Sequence, residues 1–439
     1  MLYTRNKPRK RKPNWRNILL TLLCIVLLAT SVTLLVKSIP AWVRPGDTKL
    51  ENSPTPPTPG TEPTPEATPA ATPTPEITPT PELTPEPTAE PAPTPKRGSG
   101  VQSITIGAVG DVTLHEHAIK AAKSGSGYDF TNFFGFIQPY ISWQDVTIAN
   151  LDASVTEAAV SVTNAPDALL SGLSAAGVDA VALANDTVNA AGADALEATL
   201  QAADDAGLKA ADGPVILTKD DLRIALLNYA ELSDGTLCVR QLSQENLDAD
   251  LAEVSQDELG IDFVVAYVHW GQEDSAALTD TQKSWAQVFA DAGVDVVLGS
   301  GAHLPQEMAW LQNADGHKTL VAYGLGNFLS GSRNGGKDAG VIVNFTLTKD
   351  FDHDVTSIDA VTYSPTWVLK YSVQGKYSFE IMPAAEYADK HYRNMAKTDK
   401  TRIAQVPAEI EAALGTGTGT MDKAIRTMQD GVSTVVTAE

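Results

Sequence analysis

Residues 103–345 predict an α/β fold in which buried strands are covered by helices. Apolar runs of strand length alternate along this part of the chain with stretches of helical periodicity. Such runs are typical of strands buried on both faces. The alternation of the two kinds of segment favours a layered α/β sandwich.

The predicted elements can be read in chain order. The strand-like runs are SITIGAV, DVTIAN, VDAVALAN, LRIALLNYA, DFVVAYVHW, VDVVLGSG, TLVAYGLG and GVIVNFTL. Residues 193–206 and 279–292 combine helical periodicity with good helix formers, which predicts two helices. VTSIDAVTYS, TWVLKYSV and KYSFEIM alternate like antiparallel strands, at an edge or in a second sheet. A helix is expected over 404–414, followed by a Gly/Thr linker and a weak helix.

Two segments echo each other, AGVDAV at 176–181 and AGVDVV at 292–297. In both, a helix is expected to end at a glycine that can adopt positive φ, and an apolar strand follows. The loops after these strands, residues 185–187 and 299–303, should therefore open on the same rim. Two unrelated βαβ units would give the same pattern, so a true duplication remains one of two alternatives.

The N-terminal segment predicts a membrane anchor. Residues 1–16 carry seven Lys or Arg and no acid, and the nearly uncharged run 18–36 follows. Its 19 residues can span a bilayer, at roughly 29 Å in a helix. A cleaved signal peptide is disfavoured because the run exceeds the usual apolar core and no clear cleavage site follows. A single-pass signal-anchor with its N-terminus in the cytoplasm is expected, which places the later residues outside the cell.

Composition defines the remaining parts. Residues 54–95 form a Pro/Thr/Glu tract too poor in apolar residues for a core, which predicts a disordered, extended spacer, whether O-glycosylated or not. Cys238 is the single cysteine after Cys24, so no disulfide is expected in the outer domain. Residues 45–439 carry a net charge of −31, since the −22 of the chain includes nine positive charges before them. That excess excludes a nucleic-acid partner, which needs a basic surface.

Polar residues follow several of the predicted strands. GDV at 110–112, VHWG at 268–271, GAH at 301–303 and LGNF at 325–328 each come after an apolar run. Strand ends of open α/β folds meet at the rim where ligand sites collect. An aspartate and two histidines at such strand ends, here Asp111, His269 and His303, indicate a metal centre. Considered alone, His269 could instead be an ordinary buried histidine, and His303 could be a residue that caps a loop.

The order GDVTL, IANLD, ALAND, YVHWG, GSGAH and YGLGNF resembles the CapA family, the poly-γ-glutamate capsule synthesis proteins. The resemblance covers about residues 104–345. It implies a four-layer αββα sandwich of metallophosphatase type and a metal-dependent site. Residues that match the family pattern are Asp111, Asn150, Asn185, His269, His303, Gly326 and Asn327.

Four positions depart from the family pattern. Asp152 stands where the family has Glu, Thr187 and Gly301 stand where it has His, and Ala190 stands where it has Asp. A two-metal hydrolase needs carboxylates and imidazoles around ions about 3.5–4 Å apart. Thr187 is a poor neutral ligand and Gly301 offers none, so a dinuclear centre is not expected.

One divalent ion, Mn²⁺ or Zn²⁺, or no ion at all, is therefore expected. Asp111, His269 and His303 are the candidate catalytic residues and metal ligands, with Asp152 or Asn185 as a further oxygen ligand. Asn150, Asn185 and Asn327 are the candidate substrate-binding residues. His115 and Glu116 could replace missing ligands, although a solvated helix start is the preferred interpretation of this segment.

These observations predict five regions and one leading function. The regions are a basic cytoplasmic tail (1–16), a transmembrane helix with its flank (17–43), a Pro/Thr-rich linker (44–100), a CapA-like domain (101–395) and a helical tail (396–439). The resemblance implies a role in making, anchoring or retaining a cell-surface anionic polymer, beside that polymer or its membrane synthase, with weakened or absent hydrolase activity. The alternatives are an active mononuclear phosphodiesterase-type hydrolase and a non-catalytic scaffold for other membrane proteins.

Overall fold

The computed structural model describes residues 98–232, 237–255, 259–415, 424–429 and 432–437. The predicted cytoplasmic tail, the predicted transmembrane helix and the predicted linker up to residue 97 lie outside the described residues. Within the described part of the chain, no helix is both long and apolar enough to cross a membrane.

The strands and helices of the described residues follow in chain order. The strands are β1 (Val101–Val112), β2 (Lys123–Ser124), β3 (Gly127–Tyr128), β4 (Val146–Leu151), β5 (Ser154–Val155), β6 (Asn164–Ala165), β7 (Ala180–Ala182), β8 (Lys209–Ala211), β9 (Val215–Lys219), β10 (Leu222–Ala230), β11 (Phe263–His269), β12 (Val296–Ser300), β13 (Met308–Gln312), β14 (Lys318–Ala322), β15 (Asn327–Leu329), β16 (Ala339–Asp350), β17 (Val355–Val373), β18 (Lys376–Pro383), β19 (Ala424–Gln429) and β20 (Val432–Thr437). The helices are α1 (Glu116–Ala122), α2 (Thr131–Phe134), α3 (Gln138–Ile141), α4 (Asp167–Ala176), α5 (Asp186–Ala191), α6 (Ala193–Asp205), α7 (Gln244–Val254), α8 (Asp280–Asp291), α9 (Ala384–Tyr387) and α10 (Lys397–Leu414).

Two mixed sheets form the centre of the domain. The first has the order β18-β17-β16-β1-β4-β7-β8, with β15 also paired to β1. The second has the order β13-β14-β12-β11-β10-β9. In the second sheet β10, β11, β12 and β14 run parallel, and in the first sheet β15, β1, β4, β7 and β8 do so. The carboxyl ends of each parallel set therefore meet at one edge.

Three clusters of buried apolar side chains define the layers. One lies between the sheets and includes Ile106 of β1 and Val265 of β11. Another lies between the first sheet and its helices and includes Leu170 of α4. The third includes Phe289 of α8 and Val297 of β12, on the outer face of the second sheet. The layers therefore follow in the order helix, sheet, sheet, helix, and the predicted α/β class is confirmed.

The AGVDAV and AGVDVV segments adopt the same local structure. Gly177 after α4 and Gly293 after α8 have φ of 104° and 79°, as a left-handed helix end requires. Asp179 Oδ2 accepts from the Thr147 N–H, and Asp295 Oδ2 accepts from the Val264 N–H, each at 2.7 Å. Each aspartate thus ties its own strand to the preceding parallel strand, and both loops that follow open on one cavity.

Two expectations for the C-terminal part are corrected. VTSIDAVTYS and TWVLKYSV form one strand, β17, instead of two. Pro365 does not interrupt it, because β18 pairs with β17 only from Thr366 onward and the proline lacks a partner on that side. The predicted weak helix near the C-terminus is instead the hairpin β19-β20, whose second strand, VSTVVT, is rich in β-branched residues.

The predicted helix at 404–414 begins earlier, at Lys397, and belongs to the core. Ile403, Val406, Ile410 and Leu414 of α10 are buried in the cluster between the layers. Helix α10 is also tied to the first sheet by Arg402, whose guanidinium donates to both carboxylate oxygens of Asp338. The stretch expected as a helical tail therefore contains one packed helix and one hairpin.

Candidate functional site

Three neighbouring strands of the first sheet bring Asp111, Asn150 and Asn327 together. Asp111 on β1 is in register with Asn150 on β4 and with Asn327 on β15. The close approach of β15 depends on Gly110, because a Cβ there would lie 1.8 Å from the Gly326 carbonyl oxygen. This register agrees with the prediction that polar residues at the strand ends share one rim of the sheet.

The carboxylate of Asp111 is the centre of the site. Its side chain is buried, with 1% of the residue exposed. Asn150 Nδ2 donates to Oδ1 at 2.9 Å, and His303 Nδ1 lies 2.9 Å from Oδ2. Both carboxylate oxygens therefore have a direct protein partner.

Asn185 supports this arrangement from behind. Its Nδ2 donates to Asn150 Oδ1 and to the Leu151 carbonyl, and its Oδ1 caps helix α5 by accepting from the Val188 N–H. Asn185 and Asn150 are 0% and 1% exposed, and neither contributes to the cavity wall. Both predicted substrate-binding residues thus use their amides to orient Asp111.

His303 is held in the left-handed region, with φ of 56°. Burial lowers the pKa of its imidazole, but the hydrogen bond and charge of Asp111, then the charges of Asp152 and Glu273, outweigh burial and raise the pKa to about 9. At neutral pH His303 is therefore an imidazolium, and Asp111 with His303 forms a buried ion pair.

His269 and Asp152 both line the cavity beside His303. His269 Nε2 is 3.5 Å from Asp186 Oδ1, and its Nδ1 is buried without a hydrogen-bond partner. Asp152 Oδ1 is also buried without a partner. Burial, followed by the charge of Asp111, raises the pKa of Asp152, although Thr187, His269 and His303 oppose the shift.

A cavity of about 470 Å³ collects most of these groups. Its wall includes Asp152, Thr187, His269, Gly301 and His303. Asp111 does not line this cavity, but it contacts His303, which does. The wall also includes residues that the sequence analysis did not single out. They are Asp186, Glu231, Glu273 and Lys337.

The sequence contained a pattern from which Glu231, one of these additional residues, could have been predicted. Glu231 directly follows β10, whose end pairs in register with the end of β11 at His269. Its Oε2 accepts from the Gly271 N–H at 3.0 Å. A charged residue after a parallel strand is the same signal that identified His269, so Glu231 could have been found in that way. Lys337 and Glu273 lie in loops with no such pattern.

Residues 115–117 do not form a group of additional metal ligands, because their side chains lie in different surroundings. Glu116 is exposed and pairs with Lys120, as the solvated helix-start interpretation expects. His117 Nδ1 lies 2.7 Å from Lys370 Nζ, away from Asp111. His115 does reach the cavity wall, and its Nδ1 accepts from the Gly331 N–H at 3.0 Å.

The donors present suit one metal ion better than two. Among the described residues, no group of three or more His, Cys, Asp or Glu side chains is arranged to hold a metal ion. Asp152 Oδ1, His269 Nδ1 and Asn327 Oδ1 are nevertheless buried, unpartnered atoms of types that bind divalent metals. Asp111 and His303 are hydrogen-bonded to each other. Asp152, His269 and Asn327 line the same cavity, so these three atoms are the donors that a bound ion would use there.

The backbone at Gly301 explains why this chain cannot easily have the histidine that the family has at this position. Gly301 has φ of 96°, and a Cβ would lie 2.9 Å from the Trp270 carbonyl oxygen and 3.2 Å from His269 Nε2. A side chain at this position would strain the backbone and displace His269. Thr187 has no such constraint, since it lies on the cavity wall within helix α5.

Comparison with known proteins identifies the family of this chain. Residues 105–332 match the family described as bacterial capsule synthesis protein PGA_cap. The chain belongs to this family.

Two curated relatives share parts of the sequence. The PGA biosynthesis protein CapA of Bacillus subtilis (strain 168) is 28% identical over 159 residues, which cover 35% of this chain and 40% of that protein. The capsule biosynthesis protein CapA of Bacillus anthracis is 25% identical over 256 residues, which cover 52% of this chain and 60% of that protein. The matched regions thus span about half the length of these relatives.

Solved structures with some likeness include two phosphoesterase-type proteins. A phosphatase from Mycoplasma pneumoniae has a TM-score of 0.37 at 12% identity, covering 60% of this chain and 94% of the other. The calcineurin-like phosphoesterase YfkN of Bacillus subtilis has a TM-score of 0.37 at 13% identity, covering 70% of this chain and 97% of the other.

Proposed function

We propose that this protein acts in the synthesis, anchoring or retention of an anionic cell-surface polymer such as poly-γ-glutamate, with weakened or absent hydrolase activity. Membership of the capsule synthesis family supports the polymer role. The direct 2.9 Å contact between Asp111 and His303 supports the loss of hydrolysis by a two-metal centre. Two residues that were predicted to bind metal are hydrogen-bonded to each other instead. The domain in this proposal is a four-layer sandwich of metallophosphatase type.

The site can bind an anionic group without a metal. His303 uses Nδ1 to bond Asp111, so its second N–H, at Nε2, remains to donate to a carboxylate or phosphate of a ligand. The raised pKa of His303, about 9, keeps that donor charged at neutral pH. Asn150 and Asn185 fix the orientation of Asp111 and thus of His303. This chemistry is sufficient to hold an anionic ligand.

The proposal includes a membrane location. The basic residues 1–16, the apolar run 18–36 and the Pro-rich tract 54–95 support a single-pass anchor with the domain outside the cell on a long spacer. In that position the domain can meet a polymer, or the membrane synthase that makes it, at the outer surface.

A mononuclear hydrolase is the second candidate. It is supported by the three unpartnered atoms, Asp152 Oδ1, His269 Nδ1 and Asn327 Oδ1. When bound there, Mn²⁺ or Zn²⁺ would supply Lewis-acid activation of a phosphate or carboxylate ester. His303 would then position the anionic substrate, and Asp186 would hold His269 through its Nε2.

The polymer role is tested in the bacterium that carries this chain. A strain that lacks the protein should lose cell-bound anionic polymer, and the wild-type gene should restore it. The His303→Gln variant, expressed at the same level, should restore less, because the charged donor is absent. Cell-bound and shed polymer are measured separately. Unchanged cell-bound polymer in the deletion strain would rule out the proposed role.

A further inference from the structure

The charged side chains on the cavity wall do not balance one another. The wall carries four carboxylates: Asp152, Asp186, Glu231 and Glu273. Two basic side chains of the wall are already paired with carboxylates that do not line the cavity. His303 Nδ1 lies 2.9 Å from Asp111 Oδ2. Lys337 Nζ lies 2.6 Å from Asp274 Oδ2. The wall therefore keeps an excess of negative charge, and a cleft of this kind attracts cations.

The four wall carboxylates come from both sheets. Asp152 and Asp186 follow β4 and β7 of the first sheet. Glu231 and Glu273 follow β10 and β11 of the second sheet. Among the described residues, His269 is the one basic side chain within ion-pair distance of any of them, with Nε2 3.5 Å from Asp186 Oδ1. In the same part of the chain, no three Asp, Glu, His or Cys side chains converge so that they could hold one metal ion. The negative charge is thus spread around the wall, which suits an extended cation better than a point charge.

Asn327 adds an unpartnered acceptor to this cavity. It begins β15, is 2% exposed and lines the wall. Its Nδ2 donates to the Lys337 carbonyl at 3.0 Å, whereas its Oδ1 is buried and has no hydrogen-bond partner among the described residues. Asp152 Oδ1 is a second such oxygen. A buried acceptor without a donor is costly, and an ammonium group offers three donors. Both oxygens therefore suit the ammonium group of a ligand.

The wall also offers apolar surface to a ligand. Val162 and Leu232 line the cavity, and Val162 is 43% exposed. Leu232 directly follows Glu231, so an apolar side chain lies next to an acidic one. The volume of about 470 Å³ is in the range of small-molecule sites. The cavity can therefore hold a short chain of methylene groups that carries charged groups at its ends.

We propose that this cavity binds a small organic cation with two primary ammonium groups joined by methylene groups, such as a linear diamine. One ammonium group donates to the unpartnered oxygens of Asp152 and Asn327. The other pairs with Glu231 and Glu273, and the methylene groups between them pack on the apolar part of the wall. This inference goes beyond the proposed function, because the ligand is a small cation and not the surface polymer. It leaves Nε2 of His303 to the anionic group described above.

Isothermal titration calorimetry with 1,5-diaminopentane and the full-length protein tests this site. Glu231→Gln with Glu273→Gln removes two wall carboxylates, and the new amide at 231 can still accept from the Gly271 N–H. The matched control, Glu197→Gln with Asp204→Asn, removes two exposed carboxylates from helix α6. The cavity variant should bind the diamine about fivefold to tenfold more weakly, and the control should bind like the wild type. 1-Aminopentane should bind the wild type more weakly than the diamine by a similar factor, because it has one ammonium group.

Several results would overturn the inference. The diamine could fail to bind the wild type, or it could bind the wild type and the cavity variant equally well. Equal losses in the cavity and control variants would show that only the overall negative charge attracts the diamine. Binding of Mn²⁺ without binding of the diamine, lost in the cavity variant, would identify a metal ion as the occupant. None of these results affects the polymer role, because that role is tested by cell-bound polymer in the deletion strain.

Discussion

Replacing Asp111 by Ala is expected to destabilise the domain by roughly 3 kcal/mol, a large part of the stability of a typical domain. The change leaves the partly buried His303 without its counter-ion and the Asn150 amide without its acceptor. The imidazole can lose its proton in response, which limits the cost to about the free energy of its pKa shift. Urea unfolding of the full-length protein, followed by circular dichroism, measures the change.

A matched carboxylate distinguishes this effect from a general loss of charge. Asp186 also lies near a histidine, at 3.5 Å from His269 Nε2, but its side chain is 66% exposed. Asp186→Asn should change the free energy of unfolding by less than about 0.5 kcal/mol. A loss below about 1 kcal/mol in Asp111→Ala would show that Asp111 and His303 do not form a buried ion pair.

Stability is expected to decrease as pH rises from 6.5 to about 9. The pKa of His303 is raised from 6.5 to about 9 by Asp111 against the effect of burial, so the folded state binds the proton more tightly. The resulting stabilisation is complete below pH 6.5 and is lost as pH rises through the folded-state pKa. The shift corresponds to roughly 3 kcal/mol. Urea unfolding at a series of pH values measures it.

His303→Gln provides the control for this pH dependence. The amide does not titrate, so the decrease between pH 6.5 and 9 should be largely absent from the variant. Asp212 and Asp295 have pKa values raised to about 6 by burial and therefore titrate below this window. The same slope in the wild type and in His303→Gln would assign the effect to another group.

The sequence predicted the parts of the fold that depend on local patterns. Helices at Ala193–Asp205 and Asp280–Asp291 follow from periodicity and helix formers, and the buried strands follow from apolar runs. The apolar runs before them predicted Asp111, His269 and His303 at strand ends, and in the structure His269 and His303 line one cavity while Asp111 contacts His303. These features were predictable because each is encoded within a short segment.

Features that depend on tertiary contacts were not predictable in this way. The continuity of β17 through Pro365 was not predicted, because the point where β18 stops pairing is set by the sheet and not by the local sequence. The pairing of Asp111 with His303 joins residues 192 positions apart, and the motif alone suggested that both bind metal. The carboxylates of the cavity wall, including Glu273, likewise come from loops and strands distant in sequence.

The prediction that the site holds at most one metal ion is tested most directly by counting metal ions. The full-length protein is incubated with Mn²⁺ or Zn²⁺, freed of weakly bound ions and measured by elemental analysis, together with Thr187→His as a comparison. The wild type should retain at most one ion per chain, because Thr187 and Gly301 supply no imidazole and Asp111 is bonded to His303. Thr187→His should retain metal more tightly. Two tightly held ions in the wild type would contradict the account.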